Sequence, residues 1–259
     1  MTVTLAGGTE MPSVGLGVWR LAPGRETEQA VEWALDSGYR LVDTATFYRN
    51  EQSVGAAIRR SGVPRDQLFV TTKLNPMHPN APRELAKSLK RLGLDYVDLY
   101  LIHWPVPGLR ALHWRQLETL HSEGLAREIG VSNYGERQLE TLVGGQPPAV
   151  NQVHMSPLHF RPRLIDFCRA HGIVIEAYSP LEQGRAVGNP TVVAIAQRLG
   201  RTPAQVLIRW SLQHGAVVIP RSKTERRIRE NIDVFDFELA PNEMRELDQL
   251  SSTEPGSRV

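Results

Sequence analysis

Cysteine is almost absent from this chain: of 259 residues only Cys168 is one, so no disulfide can form within it. Cys168 sits in the helical pattern Leu164-Ile165-Asp166-Phe167-Cys168, and a lone thiol of this kind fits a reduced, intracellular setting. No run of about 18 apolar residues is available to cross a bilayer, and the N-terminus has no basic segment followed by a long apolar stretch. A cytoplasmic protein with no membrane partner is expected. Charge of one sign is lacking too, because 30 Lys and Arg stand against 28 Asp and Glu, leaving +2. The cations are mixed with anions rather than gathered in blocks, so a nucleic-acid partner is not expected.

Signatures of other enzyme classes are also missing. Eight histidines occur without a His-Glu-x-x-His or His-x-His string, so no metal is expected. His113 and His121 read as surface residues of one helix. No Gly-x-Ser-x-Gly elbow supports a hydrolase. Gly15 and Gly17 are followed by Arg20 where the third glycine of a dinucleotide fingerprint belongs, which argues against a Rossmann phosphate loop.

What the chain does have is a regular alternation of short apolar runs and amphipathic segments. Val3–Leu5 and Met11–Val14, around Gly7-Gly8-Thr9, predict a hairpin that caps one end. Val14–Trp19 is the first inner strand. Helix Glu26–Ser37 has Ala30, Val31, Ala34 and Leu35 on one face and Gly38 as its stop. The cycles continue with strand Arg40–Asp43, helix Glu51–Arg60, strand Leu68–Thr72, helix Pro82–Leu92 and strand Val97–Ile102. Helix His113–Glu123 leads to strand Ala126–Val131, helix Glu136–Val143 to strand Val150–Val153, and helix Arg163–His171 to strand Ile173–Ala177. Thr191–Leu199 and Pro203–Gln213 precede strand Val217–Ile219 and helix Glu225–Asn231. These are roughly eight strand-helix units. They predict an α/β fold, a (β/α)8 TIM barrel with an N-terminal hairpin cap, spanning residues 1–259 as one domain. Pro241–Leu250 is one extra C-terminal helix, and the segment after it has no periodicity and reads as a mobile tail. With no long exposed apolar stripe, a monomer is the default.

Polar residues gather at strand ends. Asp43 closes the second inner strand, Tyr48 follows it, Lys73 follows the third and His103 the fourth. In a parallel barrel these ends share one face, where catalytic groups collect. A nearby ammonium is expected to lower the phenol pKa from its usual value near 10. A carboxylate would hold the lysine charged, and a histidine could hydrogen-bond a substrate oxygen. Such a set suits proton donation to a carbonyl as a hydride reaches its carbon.

The string Gly38-Tyr39-Arg40-Leu41-Val42-Asp43-Thr44-Ala45 is followed by Tyr48 and Asn50-Glu51, then Thr72-Lys73-Leu74, His103-Trp104-Pro105 and Gly130-Val131-Ser132-Asn133. From about Leu5 to Leu250 the chain closely resembles the aldo-keto reductases, of the short-loop prokaryotic type that includes 2,5-diketo-D-gluconate reductases. The resemblance implies a catalytic tetrad of Asp43, Tyr48, Lys73 and His103 and a small-molecule carbonyl substrate, with Trp19, Phe47 and Trp104 lining its pocket. It also implies NADPH as cofactor. Ser132, Asn133 and Gln152 would hydrogen-bond the nicotinamide carboxamide, and Tyr178, with Ser179 and Leu181 beside it, would stack on the ring. Arg221, Ser222, Lys223 and Thr224 lie at a strand-to-helix junction suited to an anion. Arg227, Glu230 and Asn231 match residues that reach the adenosine and its extra phosphate.

Four departures stand out. Asn75-Pro76 replaces a tryptophan common after the lysine and leucine, and Arg221 stands where lysine is usual, which changes phosphate geometry. His154 occupies a position where an acidic residue is frequent. The Val106–Leu112 linker is short, and a long aromatic-rich tail is lacking, so the pocket should be open. Two other classes compete with the reductase reading. One is an NADP(H)-binding regulatory subunit with little turnover, against which the intact tetrad counts. The other is a metal-dependent barrel hydrolase.

Overall fold

In a computed structural model the short apolar runs become eight parallel strands, joined in the order in which they occur along the chain. The structure describes residues 1–253. A hairpin of β1 (Thr2–Thr4) and β2 (Glu10–Pro12) comes first. The barrel strands are β3 (Gly15–Gly17), β4 (Leu41–Asp43), β5 (Phe69–Leu74), β6 (Val97–Ile102), β7 (Ala126–Ser132), β8 (Val150–His154), β9 (Val174–Tyr178) and β10 (Val217–Ile219). Every residue of β5 and β6 is buried. Burial on both faces is that of a sheet clothed by helices, and of the polar residues these strands carry, Thr72, Lys73 and Asp98 are paired inside.

The seam lies between β10 and β3. Val14 bridges Val218 in parallel fashion, Val218 N–H donates to Ser13 O at 2.9 Å, and Gly17 N–H donates to Pro220 O at 3.2 Å. A Cβ on Gly17 would lie 2.8 Å from Ile219 O, so only glycine allows this approach.

The helices are α1 (Arg25–Asp36), α2 (Glu51–Ser61), α3 (Ala81–Leu92), α4 (Arg110–Ser122), α5 (Glu136–Leu139), α6 (Pro162–Ala170), α7 (Pro190–Leu199), α8 (Pro203–Gln213), α9 (Glu225–Ile232), α10 (Pro241–Asp248) and α11 (Leu250–Thr253). Asn80 caps α3 by accepting from Arg83 N–H at 2.9 Å, and Thr202 with Gln205 forms a reciprocal cap on α8. One apolar cluster fills the layer between strands and helices. A second, with Leu41, Phe69, Leu99, Leu101, Val150 and Val217, fills the barrel interior. Leu5 and Met11 close the interior at its base, both buried, so the hairpin is a plug that leaves the opposite mouth free. Each such side chain withdrawn from water stabilises the fold by roughly 1.5–3 kcal/mol. No helix among the described residues is long and apolar enough to cross a membrane.

Several boundaries differ from expectation. The first inner strand is three residues long, because the chain turns after Val18 and Arg20 takes a left-handed φ of 60°. The helix predicted as Glu136–Val143 stops at Leu139, and the chain turns ahead of Gly144-Gly145 and Pro147-Pro148, which cannot sustain a helix. The extra C-terminal helix ends at Asp248, and the segment expected to be a mobile tail begins instead with α11; its remainder lies outside the described residues. His113 is not a surface residue. It is fully buried on α4, where its Nε2 lies 3.0 Å from His78 O, so the helix covers the loop before α3.

Candidate active site

The open mouth is formed by the carboxyl ends of the strands. Asp43 is the last residue of β4, Lys73 lies near the end of β5, and His103 directly follows β6. After β4 a single 3-10 turn, Thr46–Tyr48, carries Tyr48 over the barrel end and finishes on Arg49 with φ 59°. Asn50 and Glu51 hold this turn down. The Asn50 amide donates to Val18 O at 2.9 Å and accepts from Thr44 Oγ1 at 2.9 Å, while Glu51 accepts from Thr72 Oγ1 and from Arg91 Nε, each at 2.6 Å.

Lys73 is wholly buried, and its Nζ donates to Asp43 Oδ1 and Oδ2, each at 2.7 Å, and to Thr44 O at 2.8 Å. Tyr48 Oη lies 3.3 Å away on the cavity side. The Tyr48 and His103 rings meet edge to face with centroids 5.5 Å apart. Asp43, Tyr48 and His103 line the cavity, with Lys73 behind them. The four expected tetrad residues are thus brought together.

Their electrostatics correct one expectation. Burial drives the Tyr48 phenol up, to about 12; Lys73 pulls it down, but not below its ordinary value, and Asp43 opposes the lysine. Tyr48 is therefore a protonated phenol at neutral pH. Burial, with help from the Lys73 charge, lowers His103 to about 3, which leaves a neutral imidazole with one N–H to donate. Burial alone would lower Lys73, but Asp43 and Tyr48 more than offset it, and its pKa is raised.

One cavity of about 740 Å³ runs from Tyr48 and His103, past Trp19, Phe47 and Trp104, to Arg221–Thr224 and on to Arg227, Glu230 and Asn231. Trp19 and Phe47 are exposed, consistent with an open pocket. Ser132, Asn133, Gln152, Tyr178, Ser179 and Leu181 form the floor between the two ends. Ser132 Oγ donates to Gln152 O at 2.9 Å, and the Tyr178 hydroxyl donates to Asn133 Oδ1 at 2.8 Å. Asn133 and Ser179 have φ of 62° and 53°, left-handed backbone that non-glycine residues rarely adopt.

Sequence reasoning missed part of this lining. Gln183, Gly184 and Val187, on short 3-10 turns after β9, and Thr202, Pro203 and Ala204, at the start of α8, also line it; the helix is legible in the sequence, but not that its first turn faces the cavity. Arg20 donates to Gln183 Oε1 at 2.9 Å across the mouth. Glu176 was also missed, although a charged residue inside the apolar run Val174–Ala177 is a visible signal. It is fully buried and accepts from Gln152 Nε2 at 2.7 Å, and the same Nε2 donates to Asp43 Oδ2 at 2.9 Å.

His154 finds a carboxylate from another loop. Its Nε2 lies 2.7 Å from Glu182 Oε1, a close contact without hydrogen-bond alignment. The His154 ring stacks on His159 at 4.3 Å and on Tyr178 at 5.5 Å, and Ser156 Oγ donates to Glu182. The side chain thus backs Tyr178 from behind the cavity.

The barrel and its strand-end constellation define a class of oxidoreductase. The chain belongs to the Aldo/keto reductase family, whose family model matches residues 13–252. It is 52% identical to an aldo-keto reductase of Mycolicibacterium vanbaalenii, over 96% of this chain and 91% of that protein. It is 45% identical to the glyoxal reductase of Bacillus subtilis, over 98% of this chain and 94% of that protein. Among solved structures, an aldo/keto reductase from Brucella melitensis superposes with a TM-score of 0.93 at 41% identity, covering 96% of this chain and 99% of that one.

Proposed function

We propose that this protein reduces an aldehyde or ketone to the alcohol with NADPH, and that Tyr48 gives the proton. The observation that carries this reading is the buried line from Asp43 through Lys73 to Tyr48, which opens beside His103 into the cavity. His103, neutral, donates its N–H to the carbonyl oxygen and orients it. Tyr48 passes its proton to that oxygen as negative charge builds there. Lys73 stabilises the phenolate left behind, and Asp43 keeps Lys73 charged and aimed. Once turnover is complete, Tyr48 takes a proton back from solvent.

The residues present fit a phosphorylated dinucleotide. Asn231 Oδ1 is buried at the cavity without a hydrogen-bond partner and can accept from an adenine amine. Arg221, Lys223, Arg226 and Arg227 supply cations around the start of α9, where backbone donors also favour an anion. Ser132, Asn133 and Gln152 would hold the carboxamide, with Tyr178 against the ring. A bound reduced nicotinamide supplies the hydride that the carbonyl carbon receives. Substrate enters between Trp19, Phe47 and Trp104. A small carbonyl compound suits that mouth, as the glyoxal reductase relative also suggests.

The test is NADPH consumption with a panel of aldehydes, ketones and dicarbonyls, for the native chain and Tyr48→Phe. Native turnover lost by at least a hundredfold in the mutant, with NADPH still bound, is the expected result. Tight NADPH binding without turnover of any panel member by the native chain would overturn the reading in favour of a regulatory, cofactor-sensing role.

A further inference from the structure

Below the site lies a buried group of charges that does not balance. Asp43 and Glu176 are two carboxyls, Lys73 is the one ammonium among them, and all three are buried, Lys73 and Glu176 completely. Two carboxylates sharing a dry site with one cation cannot both ionise at their ordinary pKa. The geometry decides which keeps its charge. Asp43 has Lys73 Nζ at 2.7 Å from both oxygens and Gln152 Nε2 at 2.9 Å. Glu176 has a single hydrogen bond, from Gln152 to Oε2, and its Oε1 is buried with no partner. An ionised Glu176 would hold a charge there that nothing solvates.

We propose that Glu176 is a positioning residue that carries a proton at neutral pH, and that release of this proton to solvent sets the alkaline limit of carbonyl reduction by weakening Tyr48 as an acid. The inference rests on the proton-donor reading of Tyr48. Glu176 is joined to the site through Gln152, the residue paired with it across β8 and β9. The charged and titratable groups that act on it are Asp43 from β4, Lys73 from β5 and, beyond them, Tyr48, while β10 places Val217 beside it. When Glu176 ionises, a second negative charge stands beside Asp43. That charge favours the protonated forms of both Tyr48 and Lys73, so the phenol gives up its proton less readily. Burial first, and then the Asp43 charge, push Glu176 up to about 8. Burial holds the Tyr48 phenol up, to about 12, and His103 down, to about 3, and comparison of the native chain with a non-ionising variant at position 176 separates their titration from that of Glu176.

Two readouts test this. The first needs neither cofactor nor substrate: infrared spectra of the native chain and of Glu176→Gln across pH 6–10. A protonated-carboxyl band in the native protein, lost near pH 8 and absent from Glu176→Gln, is expected. The second is kcat for reduction at saturating NADPH over the same range. It should fall several-fold above pH 8 in the native chain, and this step should be missing in Glu176→Gln. Glu176→Met, of similar size and also non-ionising, serves if the glutamine variant does not fold. A native protein without the band, a band that survives in Glu176→Gln, or the same alkaline step in both kcat profiles would overturn the proposal. Failure of the reductase reading would instead appear as no turnover by a native chain that still shows the band.

Discussion

Lys73 Nζ touches both oxygens of Asp43 at 2.7 Å, with neither side chain more than a few per cent exposed. A pair of this kind costs much to desolvate and costs more to break, because removing one partner strands the other charge. Lys73→Met should therefore lose about 3–5 kcal/mol of unfolding free energy, read from denaturant titration. Turnover should fall at least about a hundredfold, since the developing phenolate of Tyr48 loses its cation. The double variant Asp43→Leu, Lys73→Met separates the two effects: it should recover most of the stability and none of the turnover. If Lys73→Met unfolds at the same denaturant concentration as the native chain, the pair does not carry the energy argued for it.

The basic end of the cavity makes a separate prediction about cofactor choice. Arg227 is exposed on the first turn of α9 and lines the cavity with Arg221, Lys223 and Arg226. If it meets the extra phosphate of NADPH, a charge-assisted contact worth about 1.5–3 kcal/mol is lost in Arg227→Met. The KM for NADPH should then rise by roughly tenfold to a hundredfold, while that for NADH changes little. Raising salt should weaken NADPH binding to the native chain more than to the variant. Equal losses with both cofactors would place Arg227 on the adenosine instead of the phosphate.

Much of this is legible in the sequence alone. Every catalytic position proposed from the strand ends reaches one mouth, because parallel strands joined by helices leave their carboxyl ends on one side. Pairing and burial across the barrel were not legible. Gln152 could be read as a strand-end polar residue, but not as the link that donates to both Asp43 and Glu176. The sign of the Tyr48 shift was misread for a related reason. Sequence places a lysine near a phenol, while the depth of burial that outweighs the lysine depends on how the whole mouth closes around it. His113 shows the same limit, as its helix carries too weak an amphipathic pattern to reveal which face is covered.

The partner that His154 finds in Glu182 makes the last prediction, one of stability against pH. Burial raises the Glu182 carboxyl, but contacts from His154 and Ser156 and the charge of Arg185 outweigh it and bring its pKa down to about 2. In the unfolded chain a glutamate titrates near 4.3. A carboxylate with a depressed native pKa adds stability that is fully present above the unfolded value and is lost as pH falls toward the native one. Glu182 should therefore stabilise the fold at pH 6 by on the order of 2–3 kcal/mol, and the contribution should vanish between about pH 4.5 and pH 2. Glu182→Gln is expected to be less stable than the native chain at pH 6 and to converge with it in acid, measured by guanidinium unfolding at several pH values. Because His154 also backs Tyr178, the variant should loosen that ring against the cavity. Two unfolding curves that stay the same distance apart from pH 6 to pH 3 would show that Glu182 acts by packing alone, and the charge on its carboxylate would then contribute nothing.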